Sequence, residues 1–269
     1  MSVTTVPHPA PDPSAAPALA VESLSRSFGG IVAVDGVGFT VHRGEVLGVI
    51  GPNGAGKSTL FGLVAGSLKP DRGTIRIEGV AVEGEGAHGR VGRGLARTFQ
   101  IPRPFMEMGV LDNVVTAATG QSGERVWASL LAPGRVRREE AQAREKAFAL
   151  LRFLALDHLA DRPARVLSGG QRKLLELARA LMTEPRVLLL DEPAAGVNPA
   201  LLDFIIERIA EINAQGIAVL LIEHNMDMVR RLCPSVLVMA SGRPLAAGRP
   251  DEVMADPRVV EAYLGGSVH

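Results

Sequence analysis

Apolar residues along this chain follow two spacings, and the order in which the spacings alternate sets the expected architecture. Short aliphatic runs at Ala20–Phe28, Val32–Val41, Glu45–Ile50 and Thr74–Glu78, separated by glycine turns, read as strands. Within the third, Val46-Leu-Gly-Val-Ile50 is apolar at successive positions, as a strand covered on both faces must be. A helix is expected from Lys57 to about Leu68, ended by Lys69-Pro70. From roughly Val110 to Leu159 the spacing becomes helical, broken at Ala132-Pro-Gly134. There Ala143, Ala147, Leu150, Leu151 and Leu154 form one apolar stripe. Leu174, Leu177, Ala178 and Leu181 form another, with Arg172, Glu176 and Arg179 on the opposite, polar side. A strand at Arg186–Leu190, a helix near Ala200–Ile212 and a strand at Ala218–Ile222 follow. A hairpin over Ser235–Gly248 turning at Ser241-Gly242, and a helix from about Pro257 to Leu264, complete the chain. Strand-helix alternation predicts an α/β fold with a largely parallel sheet, and the helical stretch in the middle predicts a second lobe. No internal repeat is visible.

Composition narrows this picture modestly. Residues 1–18, rich in Pro, Ala and Thr, have neither the basic nor the apolar region of a signal peptide and are expected to be a disordered tail. Residues 266–269 form a short terminal tail. Lys+Arg and Asp+Glu each number 29, so the chain has no net charge and no electrostatic footprint for nucleic acid. Its single cysteine, Cys233, excludes an internal disulfide. No run reaches the roughly 18 consecutive apolar residues that span a bilayer, so the chain is expected to be soluble and any membrane role to pass through a partner.

The candidate chemistry sits at strand ends. Gly51, Pro52, Asn53, Gly54, Ala55, Gly56, Lys57, Ser58 and Thr59 match the phosphate-binding P-loop pattern and lie between an expected strand and helix. Glycine lets backbone N–H groups approach phosphate oxygens, Lys57 brings a point charge, and Ser58 offers a hydroxyl to Mg²⁺. Val187-Leu-Leu-Leu-Asp191-Glu192 is an apolar strand ending in two carboxylates. Asp191 can hold Mg²⁺ through a water, and Glu192 can accept a proton from an attacking water. Leu167-Ser168-Gly169-Gly170-Gln171 opens an amphipathic helix. It reads either as an ordinary helix cap or as a second anion site, and a second site calls for a second nucleotide or a second chain.

In this order, Gly51–Thr59, Gln100, Leu167–Gln171, Asp191-Glu192 and His224 resemble the nucleotide-binding subunits of ABC transporters over about Leu19 to Gly265. The resemblance implies a P-loop ATPase domain over residues 19–265. Its parts would be a RecA-like core, an antiparallel β subdomain and an inserted helical subdomain at about 101–180. It implies ATP and Mg²⁺ as cofactors, with Gln100 sensing the metal and the attacking water, His224 meeting the γ-phosphate and Phe28 stacking on adenine. It further implies a dimer with a like or a sister ATPase, in which Ser168, Gly169, Gly170 and Gln171 of one chain complete the other's site. Transmembrane permease subunits and, indirectly, a solute-binding protein are the remaining partners, placing the chain on the cytoplasmic face of the membrane. The segment Ile101–Met106 would line a groove for a helix of the membrane subunit.

Many relatives carry Ser-Ala-Leu-Asp after the catalytic Glu, whereas this chain has Pro193-Ala-Ala-Gly-Val-Asn-Pro199, with Asn198 in the Asp position. That variant looks like the branched-chain amino-acid importer subfamily, as do Phe28-Gly-Gly30, Arg97-Thr-Phe-Gln100, Arg137-Arg-Glu-Glu140 and Ala262-Tyr-Leu-Gly265. Importers of urea and amides are close to it, and Thr98-Phe99 argues against the more distant lipopolysaccharide-export ATPase. The competing readings are an ABC ATPase of DNA repair or translation and a catalytically silent nucleotide-binding subunit. The chain lacks the long insertion or the second ATPase domain of the first, and intact Gln171, Glu192 and His224 oppose the second.

Overall fold

Where the apolar spacing predicts strands, two sheets form. The computed structural model describes residues 16–98, 102–120 and 133–265. Strands β1 (Leu19–Phe28) and β2 (Ile31–Val41) pair antiparallel, and β3 (Val46–Ile50) follows, buried at every position. Helix α1 (Lys57–Ala65) leads to β4 (Arg72–Ile77), the short β5 (Val80–Ala81), α2 (Ala87–Gly92) and β6 (Leu95–Arg97). Next come α3 (Val110–Val115), α4 (Pro133–Phe153) and α5 (Gly169–Met182). The chain then alternates through β7 (Val187–Asp191), α6 (Pro199–Ala214), β8 (Ala218–Ile222), α7 (Met226–Leu232), β9 (Ser235–Ala240) and β10 (Arg243–Gly248). It closes with α8 (Pro250–Met254) and α9 (Pro257–Gly265). Among the described residues no helix is long and apolar enough to cross a membrane.

The chain divides into two units, the second comprising Thr98–Pro185 and Gly196–Leu201 within the described residues. The first unit holds both sheets. One is antiparallel, in the order β2-β1-β4-β5; the other is six-stranded, in the order β10-β9-β3-β8-β7-β6. In the larger sheet only the β9–β10 pair is antiparallel. Leu19, Leu24, Val37 and Ile75 of the small sheet pack with Phe61 and Leu63 of α1 and with Leu189 and Leu220 of the large one, forming a single apolar core. Register matters more than composition here. Val49 and Asp191 both stand opposite Ile222, so β3, β8 and β7 end level and the residues just beyond them share one edge. That carboxyl edge is where α/β sheets bind ligands.

Helix α1 stops at Ala65, short of the expected Leu68, because Gly66 takes the left-handed conformation (φ 80°) that ends a helix. Arg90 of α2, wholly buried, donates to the carbonyls of Leu63 and Val64, satisfying the last turn of α1. In the second unit, Ala143, Ala147 and Leu151 are buried along one side of α4 and Leu154 just past its end, as their spacing predicts, and Leu174, Leu177 and Ala178 along α5. Glu176 departs from its expected polar face and is buried, accepting the Arg103 N–H. Burial raises its carboxyl to about 7, against the charges of Arg179, Arg103 and Lys173.

Candidate phosphate site at the sheet edge

Beyond β3 the backbone turns sharply through Gly51, at φ 145°, where a side chain would run into the Met239 carbonyl of β9. Gly56, at φ 94°, lies against the Ala33 carbonyl of β2 and forms the N-cap of α1 with no side-chain cap, leaving the first turn's N–H groups for an outside acceptor. The turn at Ser241-Gly242 braces this loop: Gly242 N–H donates to the Ala55 carbonyl at 3.2 Å, and its own carbonyl accepts from Asp35 N–H at 2.8 Å. A cleft of about 510 Å³ opens here, lined by Ile31, Val32, Ala33, Asn53–Thr59, Glu192, His224, Ser241 and Gly242.

Lys57 is buried, and its ammonium donates to the Gly51 and Pro52 carbonyls at 2.7 and 2.9 Å. Burial lowers its pKa, opposed by the charges of Glu192 and Asp191. The loop thus holds a cation ready while its N–H groups face the cleft.

Two carboxylates enter from the end of β7. Asp191, buried, pairs with Arg97 of β6 at 3.0 Å. Glu192 lies in the left-handed region at φ 49°, its N–H bonded to the Ile222 carbonyl at 2.9 Å. Its Oε1 sits 3.2 Å from Nε2 of His224, which follows β8. The two residues that sequence pairs only by resemblance therefore meet at the cleft rim.

Glu223, absent from the sequence-derived site, explains how they are held. Buried, it accepts the N–H groups of Ala194 (2.6 Å), His224 and Asn225 (both 2.9 Å), tying the segment after Glu192 to the segment carrying His224. An acid at the end of a wholly apolar strand was the available signal. Asn225 in turn caps α7 by accepting Met228 N–H at 3.0 Å. The contributions of Ala33, Ser241 and Gly242 had no sequence signal beyond an ordinary hairpin turn.

The remaining expected residues fall in different places. Gln100 and Phe99 lie outside the described residues, as does Ile101 of the expected groove. Phe28 stands opposite Ile31 in the β1–β2 hairpin with the Arg26 guanidinium 4.8 Å from its ring; Ile31, rather than Phe28, lines the cleft. In the second unit, Ser168 caps α5 in a reciprocal box: its Oγ accepts Gln171 N–H at 3.3 Å, and its N–H donates to Gln171 Oε1 at 2.9 Å. A hydroxyl that accepts keeps its own proton to donate, so capping and anion binding are compatible. Gly169 and Gly170 supply the first N–H groups of that helix. Asn198 also has a local duty, accepting Leu201 N–H at 2.9 Å just before Pro199 opens α6.

For a magnesium ion, the Ser58 hydroxyl and the Asp191 and Glu192 carboxylates are hard oxygen donors near the same lysine, and a nucleotide supplies the phosphate oxygens. The residues fit that ion.

Known proteins are similar to this chain over most of its length. Residues 34–195 match the family model described as ABC transporter, and residues 243–269 match the one described as branched-chain amino acid ATP-binding cassette transporter. The probable branched-chain amino acid transport ATP-binding protein LivG of Archaeoglobus fulgidus is 42% identical over 247 residues, covering 92% of this chain and 95% of that protein. The high-affinity branched-chain amino acid transport ATP-binding protein BraF of Pseudomonas aeruginosa is 40% identical over 250 residues, covering 93% and 98%. A crystal structure of a nucleotide-free ATP-binding cassette from an ABC transporter superposes with a TM-score of 0.80 at 41% identity, covering 92% of this chain and 99% of that one.

Proposed function

The chain belongs to the ABC transporter family of ATP-binding subunits, and from that premise we propose that it hydrolyses ATP to drive import of branched-chain amino acids. The observation that carries hydrolysis is the Glu192–His224 pair at the rim of the P-loop cleft. The solute class rests on the named relatives and on the C-terminal match.

Lys57 exchanges the Gly51 and Pro52 carbonyls for the β- and γ-phosphates, and the open N–H groups of α1 receive the remaining oxygens. Glu192 takes the proton of the attacking water on its carboxylate. His224, with Nε2 3.2 Å from that carboxylate, orients it and offers its ring to the γ-phosphate. Ser58 and, through a water, Asp191 would hold magnesium, with Gln100 as a further sensor, and the bound ion would supply neutralisation of phosphate charge. A second chain's Ser168, Gly169, Gly170 and Gln171 complete the cleft, so that ATP favours a closed dimer and hydrolysis releases it. The dimer sits on the cytoplasmic face, bound to the permease subunits, with the segment 102–106 toward them.

The test is reconstitution in vesicles with the membrane subunits and the solute-binding protein. Leucine, isoleucine or valine is expected to raise ATP hydrolysis. Stimulation by urea or short amides instead would replace the solute assignment, and hydrolysis indifferent to all of them would sink the transport role.

A further inference from the structure

Arg97 opens the Arg97-Thr-Phe-Gln100 motif and touches the hydrolytic site without a part in the reaction. On β6 it stands opposite Leu189, and Asp191, two residues further along β7, projects from the same face of the sheet. Its Nη2 donates to Asp191 Oδ2 at 3.0 Å, and both side chains are largely buried. The guanidinium also lies 5.9 Å from the ring centre of the buried Phe61 on α1, a second contact on its far side from solvent. Two cations, Lys57 and Arg97, thus stand against the two carboxylates Asp191 and Glu192. Lys57 feels both acids, whose charges raise its pKa against burial. Among the described residues no group of three or more His, Cys, Asp or Glu side chains is placed to hold a metal ion.

We infer that Arg97 is a positioning residue whose charge weakens the hold of Asp191 on divalent cations, making metal binding conditional on nucleotide phosphates. The inference rests on the ATP-binding reading. A carboxylate paired to a guanidinium attracts a metal ion less, because the ion and the guanidinium repel each other across one anion. Magnesium also gives up its waters reluctantly, and one or two carboxylates usually hold it only together with substrate phosphates. The triphosphate brings the negative charge that Arg97 offsets, so Asp191 takes the ion with nucleotide and not before it. Arg97 acts through Asp191 and touches neither phosphate nor water in this scheme.

Mn²⁺ binding without nucleotide, read by electron paramagnetic resonance, tests this with no turnover. Arg97→Gln keeps a hydrogen-bond donor but drops the charge, and it is expected to bind Mn²⁺ about tenfold more tightly than wild type. Arg97→Lys keeps the charge and should stay within about threefold of wild type. The gain should vanish when Asp191→Asn is added to Arg97→Gln, which locates it at that carboxylate. Equal Mn²⁺ affinity in Arg97→Gln and wild type would overturn the inference. So would a Lys variant that behaves like the Gln variant, since geometry and not charge would then be the cause. Thermal melting gives a reading that needs no Arg97 variant to fold: Mn²⁺ alone should stabilise wild type no more than it stabilises Asp191→Asn. A larger rise in wild type would overturn the inference. A wild-type chain that ATP with Mn²⁺ fails to stabilise would overturn the ATP-binding reading, a result distinct from normal ATP stabilisation with Mn²⁺ affinity indifferent to Arg97.

Discussion

Glu192 occupies a left-handed backbone conformation, at φ 49°, that costs a residue with a side chain on the order of 1 kcal/mol. Its N–H bond to Ile222 and the Ala195 N–H bond to its carbonyl, at 2.9 and 3.1 Å, hold it there. The strain aims the carboxylate into the cleft beside His224 instead of back along the strand. Glu192→Gln preserves size and these backbone bonds but cannot take a proton. Turnover should fall by about two to four decades while ATP binding survives, checked by phosphate release alongside equilibrium binding. Unimpaired steady-state hydrolysis would remove Glu192 from the role of base. Glu223 supplies no chemistry of its own in this scheme; its three N–H bonds keep the Glu192 and His224 segments together.

At the scale of elements, the strands and long helices were legible because their apolar spacing persists over several residues: β3, β7, β8, α4 and α5 stand close to where the pattern puts them. The short pieces β5, α2, β6, α7 and α8 carry too few residues for a period to show, and no apolar spacing marks them. The end of α1 was misplaced because a glycine cap and a distant arginine end it, and the partner Arg90 comes from another element. Glu176 on α5 shows the same limit, since periodicity places it outside while the segment at Arg103 covers it. Its carboxyl, 4.5 ordinarily, is pushed to about 7 by burial, so between these values the folded chain holds a proton that the unfolded chain has released. Stability should therefore fall as pH rises through that window and level off above it. Glu176→Gln, neutral throughout, should flatten this component, read from urea midpoints across the window. An unaltered slope would show that burial does not control this group.

For the whole molecule, the P-loop and the helix-opening serine belong to different units of the chain, and the resemblance assigns them to different sites of a dimer. Sequence could name both motifs, because each is a local pattern, but no local pattern states whether the second copy is identical. Lys57→Ala and Ser168→Arg chains should each be inactive alone. Mixed, they form one doubly damaged site and one intact site, so hydrolysis should return to a fraction of wild type. Absence of recovery would mean that this chain completes its sites with a different ATPase.

The parked ammonium of Lys57 bears on how such a machine can idle. A buried cation with no acceptor would make every departure of spent nucleotide a partial unfolding event. Here two carbonyls of the same loop stand ready within hydrogen-bonding distance. The loop therefore carries its own acceptors for the lysine, so the cation can change partners without the fold being rebuilt.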